Sequence, residues 1–188
     1  GEVRENAPVF VVDDNYLKRL DGTVLSEKEK ELTLENRLRT VLRIKASDLP
    51  VYKTLQERLE KVIERREEEV DDTYALLCSI MNDLNEAQDL EKSSDLSMGE
   101  RAISQLLREK LDNEELVSVI TSELNEIVVS HTNDFNNWQQ KQMVVDRIRV
   151  DIIKRLVGLS KLHSAINKQT VDYIPFAEQL MKYIIQHY

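Results

Sequence analysis

The stretch WQQKQMVVDRIRVDIIKRLVGL, residues 138–159, predicts a helix with apolar residues on two sides. At about 100° per residue, one set falls within an arc of roughly 80°, which is typical of a core-facing stripe. Its members are Trp138, Val145, Ile148, Ile152, Leu156 and Leu159. The second set, Met143, Val150 and Val157, repeats every seven residues and lies roughly 160° from the first. A helix in a small bundle needs one apolar face, so the second set requires an explanation.

Charged residues separate the two apolar sets. Arg147, Asp151 and Lys154 lie between them on the more polar side, and Arg149 falls inside the core stripe. We predict structural roles for Trp138 and Arg149, with Arg149 paired to a nearby carboxylate, because an unpaired buried charge is costly.

Two interpretations of the second set stay open. Either both sets are buried inside the bundle, or the second set is an exposed docking surface for another subunit. Apolar patches with a charged rim commonly mark such surfaces. The candidate partner-binding residues are Met143, Arg147, Val150, Lys154 and Val157.

Other helix starts follow from capping signals. A capping residue followed three positions later by glutamate occurs at Ser26–Glu29, Ser97–Glu100 and Asp112–Glu115. The first of these predicts a helix to about residue 46 with Leu32, Leu38 and Leu42 inward. Pro50 marks another start, since proline is tolerated in a first helical turn.

The remaining pattern is also helical. Apolar residues recur at helical spacing from residue 51 to 84, interrupted by the charged run ERREEEVDD, residues 64–72, where we expect a bend near 69–72. A last helix is expected near 174–187. The sequence therefore predicts an all-α fold, an irregular bundle of six to eight helices. We assign residues 26–188 to this domain and residues 1–25 to a partly extended N-terminal extension with a strand-like run at 9–12.

Composition limits the function classes. The net charge of −9 over 188 residues argues against broad nucleic-acid affinity, which depends on phosphate neutralisation by Lys and Arg. The charge is uneven, however. Residues 139–171 hold seven Lys and Arg against two Asp, whereas residues 1–138 hold 18 bases and 31 acids. A direct DNA contact by the basic region is a third possibility.

The motifs of several enzyme classes are missing. No glycine is followed by lysine as a P-loop requires, and no histidine follows a carboxylate by three residues as in helical di-iron sites. No lysine follows an acid by two residues, as in restriction-type nuclease cores. The three histidines are scattered and the single cysteine, Cys78, resembles a small buried hydrophobe. We expect no catalytic, metal or cofactor site in this segment.

Three segments in this order resemble a known family. They are LPVYKTLQERLEKVIERREEEVDD (49–72), LSMGERAISQLL (96–107) and NNWQQKQMVVDRIRVDIIKRLV (136–157). They are similar to the C-terminal helical domain of the R subunit of type I restriction-modification enzymes. The resemblance covers most of residues 47–160.

The resemblance implies a prokaryotic, cytoplasmic parent chain. That parent would carry a nuclease domain and two helicase-like lobes, an ATP-dependent endonuclease that translocates DNA with ATP and Mg²⁺. Because this chain starts at Gly1, we expect it to be a fragment of such a parent. It would attach the motor to the methyltransferase (M) and specificity (S) subunits, with DNA reached only through the complex and no membrane contact. The alternative is a helical scaffold or coiled-coil adaptor unrelated to restriction.

Overall fold

The computed structural model describes residues 12–66, 68 and 72–188. These residues form eight α-helices and one short 3-10 helix, and no strand occurs among them. The helices are α1 (Tyr16–Asp21), α2 (Glu27–Lys45), α3 (Pro50–Arg66), α4 (Thr73–Ser93), α5 (Met98–Arg108), α6 (Glu114–Thr132), α7 (Gln142–Leu162) and α8 (Tyr173–His187). The predicted all-α bundle of six to eight helices is confirmed. Residues 9–11 of the strand-like run lie outside the described residues.

Packing divides the chain into two compact units, residues 1–94 and 95–188. In the first, α2, α3 and α4 pack against one another. In the second, α5 packs on α6 and α8, and α7 packs on α6 and α8. The predicted division at residue 25 stays a prediction. The described part of the first unit includes α1, whose Tyr16 and Leu20 are buried.

The start of α2 agrees with the capping signal. The Ser26 side chain accepts a hydrogen bond from the Glu29 backbone, and the Glu29 carboxylate accepts one from the Ser26 backbone. One inward assignment on this helix is wrong, because Leu32 is 42% exposed. Leu34, Leu38 and Leu42 are buried. These three recur every four residues, whereas Leu32 lies two residues before Leu34 and so points to another side of the helix.

Helix α3 begins at Pro50, as predicted. Its apolar side chains Leu55, Leu59 and Val62 are buried, and α4 buries Leu77, Met81 and Leu84. Helix α3 ends at Arg66, and helix α4 begins at Thr73. The predicted bend falls largely on residues 69–71, which lie outside the described residues.

A buried carboxylate joins α2 to α3. Glu35 is 3% exposed and pairs with two arginines. Arg39 Nη2 lies 3.0 Å from its Oε1, and Arg66 Nη2 contacts its Oε2. Arg66 Nε also lies 3.2 Å from Oε1 of Glu31. The charge of Glu35 is thus compensated from both sides, as a buried charge requires.

The second unit begins with the predicted capping box of Ser97 and Glu100. The predicted cap at Asp112 is wrong. Asn113 is the N-cap of α6, and its Oδ1 accepts a hydrogen bond from the backbone of Leu116 at 3.0 Å. Both residue types cap helices well, and α6 begins after the later of the two. Leu116, Ile120, Leu124 and Val128 of this helix are buried.

Tyr188 ties several elements of the second unit together. Its hydroxyl donates to Asn125 Oδ1 on α6 at 2.6 Å, and its backbone carbonyl accepts from Gln139 Nε2 at 2.7 Å. Its ring packs against Gly99 at the start of α5. These contacts fix the segment that leads into α7.

In the described part of the chain, no helix combines the length and the apolar character that crossing a membrane requires.

Candidate docking surface on helix α7

The segment before α7 differs from the sequence expectation. Trp138 was expected to head the helix, but it lies in a separate 3-10 helix, Trp138–Gln140. Lys141 then has an extended backbone, and α7 begins at Gln142. Asn137 has a left-handed backbone (φ 55°), which asparagine tolerates better than most residues. Trp138 is nonetheless buried, as its predicted structural role requires.

One face of α7 forms part of the core. The predicted stripe Val145, Ile148, Ile152, Leu156 and Leu159 is buried, together with Val144. This face packs against α6 and α8. The core-facing stripe is therefore confirmed.

The second apolar set lies outside the core. Met143 is 66% exposed, Val150 45% and Val157 36%. The interpretation that both sets are buried inside the bundle is therefore wrong. The three side chains form an exposed line with heptad spacing along α7.

Two basic residues flank this line. Arg147 and Lys154 are exposed, and neither forms an ion pair with any residue that the structure describes. We call the set Met143, Arg147, Val150, Lys154 and Val157 the docking surface, after the role predicted for it. It brings together all five of the predicted partner-binding residues on one side of one helix.

The two acidic residues of α7 form their contacts with residues outside the docking surface. Asp146 Oδ1 accepts hydrogen bonds from Gln142 Nε2 at 2.8 Å and from Arg149 Nη1 at 2.6 Å. Asp151 Oδ2 lies 2.5 Å from Nε2 of His131 on α6. The docking surface itself contains two basic residues and no acidic one, so it is basic.

Arg149 is less buried than expected. Its side chain is 26% exposed, and it bridges Asp146 to Glu178 of α8, with Nε 2.5 Å from Glu178 Oε1. The expected carboxylate partner exists, but both carboxylates are more than half exposed. Pairs of this kind contribute only about 0.2–1 kcal/mol.

A cleft of about 400 Å³ lies beside the docking surface, between α6 and α7. Its walls are Ile127, Ser130, Asp151, Lys154, Arg155 and Gly158. Arg155 Nη1 lies 3.6 Å from Glu123 Oε2 across the two helices. Sequence reasoning did not single out this cleft, because it depends on how α6 packs on α7.

Reactive groups are sparse in the described ranges. They hold no group of three or more His, Cys, Asp or Glu side chains arranged to bind a metal ion. Cys78 is half-buried, and burial raises the pKa of its thiol. A cysteine with a raised pKa carries less thiolate at neutral pH and is a weaker nucleophile.

Comparison of the chain with protein-family models, with curated proteins and with solved structures gave no match. The resemblance to type I R subunits therefore depends on the three quoted segments alone.

Proposed function

We propose that this chain is a protein-docking module that binds its partner through α7. The observation that carries the proposal is the exposed line Met143, Val150 and Val157, flanked by Arg147 and Lys154, which lack ion-pair partners among the described residues. Burying three such apolar side chains on a partner would supply affinity, and the two charges would supply orientation and specificity.

The charge of the surface selects the kind of partner. An apolar surface with carboxylates spaced to meet Arg147 and Lys154 would complement it, whereas a basic partner would be repelled. The heptad spacing of the line matches the spacing at which two helices meet along a common seam. We therefore infer that the partner contributes a helix with an apolar stripe and an acidic edge.

The resemblance suggests the identity of that partner. We propose that the chain is the C-terminal helical domain of a type I restriction R subunit and that it docks onto the methyltransferase–specificity complex. ATP, Mg²⁺ and DNA would act on other domains of the parent chain, in a prokaryotic cytoplasm. The role of the present chain would be attachment without chemistry.

The test is size-exclusion chromatography with light scattering. The chain is run alone and then mixed with the methyltransferase–specificity complex of the same host, in moderate salt. We expect a monomer alone and co-elution in the mixture. A chain that self-associates and ignores the complex would favour the scaffold or adaptor alternative.

A matched pair of variants assigns the contact to α7. Val150 on α7 and Val119 on α6 are the same residue type, and each is 45% exposed. Val150→Asp should abolish co-elution while the melting temperature stays within a few degrees of the wild type, since Val and Asp differ little in helix propensity. Val119→Asp should leave both quantities unchanged. If the two variants bound the complex equally well, α7 would not be part of the interface.

A further inference from the structure

Gly158 is an unexpected residue for its position. It lies in the interior of α7, four residues before the helix ends at Leu162, and it is exposed. Glycine is the least favourable helix residue after proline, because it loses the most backbone freedom on folding. An exposed helix interior would ordinarily be more stable with alanine.

Packing within this chain does not require a glycine there. A Cβ atom built on Gly158 meets no atom within 4 Å, apart from its own helix backbone and neighbouring residues. At Gly99, by contrast, a Cβ would overlap the Tyr188 ring. The space above Gly158 is open, and it forms part of the cleft between α6 and α7.

The position of Gly158 links it to the docking surface. It follows Lys154 by one helical turn, so the two lie on the same side of α7, whereas Val157, one residue earlier, is turned about 100° away. Glycine commonly occurs where another backbone must come close, because it presents no side chain. The open space therefore lies beside the unpaired lysine, at the edge of the docking surface that faces the cleft.

We propose that Gly158 is the point at which the partner's helix crosses α7 with its backbone in close contact. The occupant of the cleft is that helix, with an apolar stripe on Met143, Val150 and Val157 and a carboxylate on Lys154. This inference rests on the proposed function. It adds the place where the partner's helix crosses α7 and the requirement that the two backbones lie close together there. It makes Gly158 a specificity residue, because the missing side chain matters for contact with the partner and not for packing within its own chain.

The test uses two substitutions of increasing size, Gly158→Ala and Gly158→Gln, and a control, Gly22→Ala. Gly22 follows α1 with an ordinary helical backbone, and a Cβ there would make only ordinary van der Waals contacts. Each chain is melted alone, and its affinity for the methyltransferase–specificity complex is measured by calorimetry.

We expect stability and binding to change in opposite directions. Gly158→Ala should raise the melting temperature by about 2–4 °C, because alanine favours the helix. It should also weaken binding about tenfold, since an added methyl overpacks a close contact, and Gly158→Gln should weaken it further. Gly22→Ala should bind like the wild type.

The outcomes separate the two proposals. If Val150→Asp abolishes binding while both Gly158 variants bind like the wild type, the close crossing is wrong and the docking surface remains. If the wild-type chain does not bind the complex, the proposed function fails and this inference fails with it. Loss of binding graded with side-chain size, in variants that melt no lower than the wild type, supports the close crossing.

Discussion

The Tyr188 ring lies so close to Gly99 that a Cβ atom on this glycine would be 2.2 Å from the ring's Cε2. The ring is held in place from two sides, through its hydroxyl on Asn125 and its backbone carbonyl on Gln139. Gly99 has no left-handed backbone to explain its presence. The close approach of the aromatic ring explains it.

Gly99→Ala should therefore destabilise the second unit. The methyl group must either overlap the ring or displace it from its two hydrogen bonds, at a cost of about 1–3 kcal/mol. Urea unfolding followed by circular dichroism measures this loss. Gly158→Ala is the control, since the same change in open space should increase stability; a stable Gly99→Ala variant would contradict the close packing.

Stability at alkaline pH should depend on Tyr188. Burial, followed by the nearby Glu100 carboxylate, raises the pKa of its phenol above the usual value of about 10. The folded state thus favours the neutral phenol, so its contribution is complete below pH about 10 and is lost as the pH rises further.

The measurement is the free energy of unfolding between pH 9 and 11.5. The Tyr188→Phe variant should be about 1 kcal/mol less stable than the wild type at pH 7, because the hydrogen bond to Asn125 is absent. At alkaline pH its free energy of unfolding should fall less steeply than that of the wild type. Parallel curves for the wild type and the variant would show that Tyr188 ionises equally in both states.

Arg66→Ala should destabilise the first unit by about 2 kcal/mol or more, because it leaves the buried Glu35 carboxylate with Arg39 alone. The control is Arg58→Ala on the same helix. Arg58 pairs with Asp83 at 2.5 Å, but both side chains are more than 40% exposed, so its loss should cost under about 1 kcal/mol. Thermal melts of the two variants compare these costs, and equal costs would argue against the burial of Glu35.

The two adjacent residues that could cap the start of α6, Asp112 and Asn113, can be compared by substitution. Asn113→Ala should cost about 1 kcal/mol, because its side chain accepts the Leu116 backbone hydrogen bond. Asp112→Ala should change stability by less than about 0.5 kcal/mol, since Asp112 is exposed and precedes the cap. Chemical denaturation of both variants distinguishes the two positions. A larger loss of stability in the Asp112→Ala variant would show that Asp112, the residue predicted from sequence, is the cap.

Local signals explain which parts of the fold were predictable. Ser26 and Ser97 each have glutamate three residues later and no competing capping residue beside them, and both predictions are confirmed. At Asp112 and Asn113 two good caps are adjacent, and each is followed by glutamates at nearby positions. The local pattern could not choose between them.

Tertiary packing explains the rest. The periodicity of α7 predicted two apolar faces and which of them faces the core, but only the packing of α6 and α8 decided that the second face stays exposed. The burial of Glu35 depends on Arg66, which is 31 residues away. The place of Tyr188 depends on Gly99, and no short-range pattern links residues so far apart in sequence.

The two faces of α7 also bear on how this chain can diverge. On α3, whose outward residues are mostly charged or polar, neutral drift can exchange one hydrophilic residue for another. On α7 the inner positions are constrained by the core, and the outer ones, under the proposed function, by a second molecule. Substitutions at Val150 or Lys154 would then persist only where the partner gene carries a compensating change. Paired variation between this helix and its partner is the evolutionary signature that such a surface should leave.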